Sequence, residues 1–191
     1  MKKPIAAVLK SKQTVFTFKD ISLLWGLTDK KSVIAGIHYY LKTGSLYPIR
    51  RGIYAKDKDY DKVELASRIY TPAYVSFETI MARSGMIFQY YSQIFVASYL
   101  TREIRINGQT YVYRKIKSSI LTEGTGVVNQ DGSAIATKER AFLDIIYINT
   151  DYHFDNLGPL DWDKVFDILP LYSNKRMTKK VHQFYDDFKA G

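Results

Sequence analysis

Between Phe16 and Ala55, apolar residues recur twice at helical spacing and then alternate as in strands. The spacing predicts a helix from about Phe18 to Trp25, with Ile21, Leu24 and Trp25 on one face. Thr17 and Asp20 stand three residues apart, the spacing of a capping box, and Asp20 also suits the positive end of the helix dipole. Gly26 is a natural stop. A second helix is expected over roughly Asp29 to Thr43, capped by Thr28 and closed by Gly44. Val33, Ile34, Ile37, Tyr40 and Leu41 form its apolar stripe, and Lys31, Ser32, Ala35, His38, Tyr39 and Lys42 its polar face. Ser45 to Arg50 and Ile53-Tyr54-Ala55 then predict a short hairpin with Arg50 and Arg51 at its turn. Two helices followed by a basic hairpin read as a winged helix-turn-helix. Its second helix is of the kind that fits the major groove.

The pattern changes after a polar, alternately charged stretch at Lys56 to Asp61, which marks the expected boundary between residues 1–58 and 59–191. Helices are expected at Lys62 to Tyr70 and, capped by Ser76, at Phe77 to Ser84, with an aromatic connection from Met86 to Tyr91. A strand-rich middle follows. Ser92 to Leu100 reads as a buried strand, Arg102 to Ile106 and Thr110 to Ile116 as a hairpin about Asn107-Gly108, and Ile120 to Val128 as a weaker strand. Ser133 to Ala136 returns after the Asp131-Gly132 turn. Thr137 caps a strongly apolar helix from Lys138 to about Asn149, Asp161 caps Trp162 to Leu169, and Ser173 caps a last helix toward Lys189. The expected fold class is α+β, an N-terminal winged helix-turn-helix followed by an α+β domain with an antiparallel sheet and packed helices.

Charge sharpens this division. Residues 1–58 hold ten lysines and two arginines against Asp20, Asp29 and Asp57, a net of +9, which is the whole formal charge of the 191-residue chain. The other 133 residues hold sixteen basic and sixteen acidic side chains. Charge segregated in this way is the footprint of a polyanion partner. The candidate double-stranded DNA contacts are therefore Lys30, Lys31, Ser32, His38, Tyr39 and Lys42 on the second helix, with Arg50 and Arg51 on the hairpin. The absence of cysteine excludes disulfides and thiolate chemistry and fits a reducing cytoplasm. No run of 18 or more apolar residues is present, so no membrane span is expected. The opening Met1 to Lys10 begins like a signal peptide, but its apolar core of Ile5 to Leu9 is too short, and it is expected as the first amphipathic helix.

Catalytic signals are sparse. His38, His153 and His182 show no paired metal-ligand spacing, Gly124-Thr125-Gly126 lacks the rest of a nucleotide fingerprint, and no cofactor is expected. Glu139 and Asp144, with Lys138 and Arg140 on the same helix, leave open a metal-dependent nuclease guided by a winged helix. Against it, Lys138 and Glu139 suit the first turn and surface of a helix, and Asp144 suits a bond to a neighbour. The sixteen tyrosines are mostly placed as half-buried structural residues, and stacking of single-stranded bases is a lesser use for them.

Three segments bear a resemblance to a known family. Arg51-Gly52-Ile53-Tyr54, then Tyr74 to Ile80 with Gly85-Met86-Ile87, then Ile135 to Asp144 resemble, in order and spacing, motifs of the AbiEi family of antitoxins. Lys138 stands where that family often has proline. The resemblance implies a bacterial antitoxin of a type IV toxin–antitoxin, or abortive-infection, system. It would be a non-enzymatic repressor that binds inverted repeats in its own promoter through the winged helix and opposes a nucleotidyltransferase-like toxin through its C-terminal part. By the same analogy Lys31, Ser32, His38 and Lys42 would face DNA, and Arg50 and Arg51 would hold its backbone. A free-standing regulator of the same fold is the alternative within this class.

Overall fold

The computed structural model describes residues 4–190, and the expected N-terminal helix therefore falls partly outside the described residues. The described chain is mixed α+β, with nine α-helices, one 3-10 turn and two sheets. Helix α1 (Ile5–Lys10) is followed by strand β1 (Val15–Thr17), helices α2 (Phe18–Trp25) and α3 (Lys30–Lys42), and strands β2 (Tyr47–Arg50) and β3 (Ile53–Ala55). These strands form a three-stranded antiparallel sheet in the order β1-β3-β2. Helix α4 (Lys62–Ile69), strand β4 (Ala73–Val75) and helix α5 (Glu78–Arg83) come next, then β5 (Ile94–Ser98), β6 (Arg102–Ile106) and β7 (Gln109–Lys115). The chain ends with α6 (Ser118–Leu121), β8 (Val127–Gln130), β9 (Ser133–Ala136), α7 (Lys138–Ile148), α8 (Trp162–Ile168), the 3-10 turn Leu169–Tyr172 and α9 (Lys175–Ala190).

The larger sheet has six strands in the order β6-β7-β5-β4-β9-β8. The expected antiparallel pairing holds for β6–β7, β4–β5 and β8–β9, whereas β5–β7 and β4–β9 run parallel. The reason is connectivity. The β6–β7 hairpin lies outside β5 and puts β7 against it, while β9 reaches β4 only after four intervening strands and two helices. Both asparagine- or aspartate-glycine turns form as expected, with positive φ at Asn107, Gly108, Asp131 and Gly132.

Several expected boundaries move. Asp29, not Thr28, caps α3, its carboxylate accepting from Ser32 N at 2.8 Å and Ser32 Oγ at 2.6 Å. Ser76 does not cap α5, because its hydroxyl donates to Asp144 at 2.7 Å and leaves Phe77 as the entry residue at φ 56°. Asn174 takes the place expected of Ser173 at α9, accepting from Met177 N at 3.2 Å, while Ser173 sits at φ 46°. The segment expected as a strand from Ile120 to Val128 instead contains the end of α6, a loop and the start of β8. Three of its carbonyls, those of Ile120, Glu123 and Thr125, accept from the buried Arg140 guanidinium and so cannot join a ladder.

Two apolar clusters form. Ile5, Val8, Phe16, Ile21, Val33, Ile37 and Leu46 make the smaller one, drawn from α1, β1, α2, α3 and the residue before β2. The larger surrounds the six-stranded sheet, with α7 carrying buried residues along most of its length. A segment of about 60 residues buries too little surface to be more than marginally stable alone. Here α4 ties it down. Glu64 Oε2 accepts from Thr14 N at 2.7 Å and Thr14 Oγ1 at 2.8 Å, and Arg68 Nη1 donates to Asp20 at 2.7 Å. Arg68 Nη2 also reaches the Gly132 carbonyl in the β8–β9 turn at 3.2 Å.

Candidate nucleic-acid interface

α2 begins with the capping box expected of Thr17 and Asp20. Asp20 N donates to Thr17 Oγ1 at 3.2 Å, and Asp20 Oδ2 accepts from Thr17 N at 2.8 Å. That same oxygen takes the bond from Arg68, so the start of α2 is locked both locally and to α4. Gly26, at φ +65°, ends the helix in the left-handed conformation, and three further residues lead into α3. Where the two helices pack, Gly36 of α3 faces Trp25 of α2. A Cβ at Gly36 would stand 2.7 Å from the indole Cζ3, so the close packing requires glycine.

α3 buries Val33 and Ile37 and presents its other side to solvent. Lys31, Ala35, His38 and Lys42, at i, i+4, i+7 and i+11, run along the middle of that exposed face, flanked by Ser32 and Tyr39 on one side and Lys30 on the other. All six candidate residues of α3 are exposed. Ser32 differs from the rest because its hydroxyl donates to Asp29 and serves the cap. Tyr39 stacks edge-on against Tyr40 at 5.2 Å, leaving its ring on the surface. Ile34, expected in the apolar stripe, is 38% exposed and borders the polar face instead, and Leu24 of α2 is equally exposed.

β2 and β3 form the expected hairpin, with a register shift between Pro48 and Arg50, where proline has no N–H to give the ladder. Arg51-Gly52 makes the turn, with Gly52 at φ +77°, and the Gly52 carbonyl accepts from Phe18 N at 3.0 Å. The turn is thereby pinned to the start of α2. The two arginines, adjacent in sequence and both exposed, differ in their surroundings. Arg50 ends β2 with its guanidinium 5.9 Å from the ring centre of Tyr70, and Arg51 projects from the turn with no ion pair among the described residues. Sequence reasoning missed the anchoring role of Arg68. The capping box was readable, but a partner 48 residues away was not signalled by any local pattern.

Glu139 and Asp144 do not converge on a common open site. Asp144 is wholly buried and accepts from Tyr74 OH at 3.0 Å, Ser76 Oγ at 2.7 Å, Tyr172 OH at 2.7 Å and Arg140 Nε at 3.3 Å. Burial pushes its carboxyl above the ordinary carboxylate range, against the opposing pull of Arg140 and the three hydroxyl donors. Burial likewise pushes the Tyr74 and Tyr172 phenols up. Glu139, expected on the surface, is buried and accepts from Asp161 N at 3.3 Å. Among the described residues no three His, Cys, Asp or Glu side chains are grouped so as to hold a metal ion, and no helix is long and apolar enough to cross a membrane. No family model and no curated protein matches this chain.

Proposed function

We propose that the protein is a DNA-binding transcriptional repressor of its own operon that acts as an antitoxin in a type IV toxin–antitoxin system, with residues 1–58 as its winged helix-turn-helix. The observation that carries the reading is a coincidence. The whole net charge of +9 lies in the segment where α3 exposes Lys30, Lys31, His38 and Lys42 beside the turn that carries Arg51. The element order α1-β1-α2-α3-β2-β3 and the four-residue link between α2 and α3 support a winged helix. In this reading α3 enters the major groove, Lys31, His38 and Lys42 meet base edges or phosphates, and Arg51 holds the backbone beside it. Arg50, drawn over Tyr70, contributes less than Arg51.

The antitoxin part of the proposal rests on the AbiEi resemblance. Two of the three segments that carry it meet in the fold. Tyr74 and Ser76 of one and Arg140 and Asp144 of the other form a single buried network. Inverted repeats would be read by two copies, one per half-site.

Fluorescence anisotropy against duplex DNA from upstream of the protein's own gene tests the repressor, with a scrambled duplex, a salt series and the variant Lys31→Ala/Lys42→Ala/Arg51→Ala beside it. Expected are selective binding that the variant loses and, if about six cations meet phosphates, a log–log salt slope of roughly −5. Equal weak binding to both duplexes would overturn sequence-specific reading. Coexpression with the gene downstream then tests the antitoxin. Rescue of growth that survives the DNA-binding variant would place neutralisation in residues 59–191.

A further inference from the structure

Residues 84–101 contain no Asp, Glu, Lys, Arg or His. The latter part of this run is buried as β5, but its first part crosses the surface between α5 and β5 and leaves Phe88 75% and Tyr90 88% exposed. A lone exposed aromatic is ordinary. Two on an uncharged segment form the composition found at the centre of protein interfaces, aromatic-rich and poor in charge. The segment is held rather than loosely hung. Asp155 Oδ2 accepts from Phe88 N at 2.7 Å, and the Met86 carbonyl accepts from Asp155 N at 3.0 Å and Asn156 N at 3.2 Å. Tyr91 donates to Gln89 at 2.7 Å and meets the Phe95 ring edge-on at 5.4 Å. Aromatics presented on a fixed backbone lose little ordering entropy when a partner binds.

Ile87, Phe88, Gln89 and Tyr91 line two clefts, of about 600 Å³ and 390 Å³, and so form a ridge between them, with Tyr90 facing the larger. The uncompensated charge of the larger cleft is positive. Its one carboxylate, Glu78, is taken up by Arg114, which donates to both oxygens at 2.9 and 2.8 Å. Its cations Lys62 and Arg83 are exposed and form no ion pair among the described residues. In the smaller cleft His153 and Asp155 face each other at 3.9 Å. We propose that this ridge and the larger cleft are a docking surface for a partner protein that presents a carboxylate side chain beside an apolar one. Phe88 and Tyr90 are the apolar anchors, and Lys62 and Arg83 receive the carboxylate. The surface shares no residue with α3 or the β2–β3 turn, so it stands independently of DNA reading. Two cations in the cleft beside an uncharged ridge are too few to track a phosphate backbone, which favours protein over single-stranded nucleic acid.

Panning a displayed random-peptide library against the full chain, followed by affinity measurements on the selected peptides, tests this. Expected are peptides rich in Asp or Glu beside Phe, Trp or Leu. Phe88→Ser/Tyr90→Ser should weaken them roughly thirtyfold or more, as loss of paired anchors does. Lys62→Glu/Arg83→Glu should weaken them by a smaller factor that shrinks as salt rises. All four side chains are exposed, so both variants should keep the wild-type circular dichroism and melting temperature. Selected peptides without acidic enrichment, or binding that both variants retain, overturn the proposal. Binding of a thymidine oligonucleotide that the Phe88/Tyr90 variant abolishes would reassign the ridge to single strands. Self-association abolished by the same variant would reassign it to a second copy of the chain. Either result overturns the proposal.

Discussion

Asp144 has no exposed surface and is surrounded by three hydroxyl donors and the Arg140 guanidinium, itself fully buried. Removing one member of such a pair leaves the other charge in a low-dielectric interior, which costs more than the pair itself contributes. Asp144→Ala should therefore lower unfolding stability by about 3–5 kcal/mol, read from urea denaturation. A loss well under ~1 kcal/mol would mean that the carbonyls of Ile120, Glu123 and Thr125 alone satisfy Arg140. Asp29 makes a milder case on the surface. The Ser32 hydroxyl, and then the Ser32 amide, hold its carboxyl below its ordinary value of 3.8. A depressed carboxyl stabilises the folded state above the ordinary value, and that contribution is lost as pH falls through the folded one. The cap of α3 should thus persist to pH values below 3.8 and open beneath them. An NMR titration of the Asp29 carboxyl with the Ser32 amide would show the two moving together, and an Asp29 midpoint at or above 3.8 would refute this.

At the scale of elements, the close approach of α2 to α3 has the Trp25 ring seated on Gly36, and the same ring meets Tyr40 edge-on at 5.6 Å. Gly36→Ala sets two effects against each other. Alanine within a helix gains about 0.5–1 kcal/mol over glycine. Overpacking against an indole at 2.7 Å costs about 1–3 kcal/mol. The overpacking should win, giving a net loss of about 1 kcal/mol and altered Trp25 fluorescence. A variant as stable as the wild type would show that the ring has room to move. The same comparison explains which helix boundaries were legible. Thr17-Asp20, Thr137 and Asp161 cap where the pattern placed them. Ser76 looked equally suitable, but a buried carboxylate 68 residues away claimed its hydroxyl. Local propensity yields where a long-range bond to a charged group is stronger than a cap.

At the scale of the molecule, the basic N-terminal segment is joined to the larger core through α4. Arg68 reaches Asp20 at the start of α2, Glu64 on its own helix at 3.0 Å, and the β8–β9 turn. Arg68→Ala should lower stability by about 1–3 kcal/mol, because Glu64 stays buried with only its Thr14 donors. It should also weaken duplex binding at constant charge on α3, since α2 loses its external anchor. Unchanged affinity after subtracting one cation's worth of salt slope would show that the junction holds without it.

Hydrophobic spacing by itself determined most of the element list, the position of the hairpins, and the exposed face of α3 that carries Lys31, His38 and Lys42. Each of these depends on neighbours within about a dozen residues, and the charge division between the two parts of the chain is likewise a property of composition. The tertiary structure alone decided the parallel pairings β5–β7 and β4–β9, the loop that replaced the expected strand after Ile120, and the exposure of Ile34. It alone set Arg50 beside Tyr70, turned Glu139 inward, and raised Phe88 and Tyr90 on a bonded ridge. For the parallel pairings, the loop held by Arg140 and the inward Glu139, the deciding contact joins residues far apart along the chain, where a buried charge must be satisfied or a sheet closed, and no local periodicity encodes that partner.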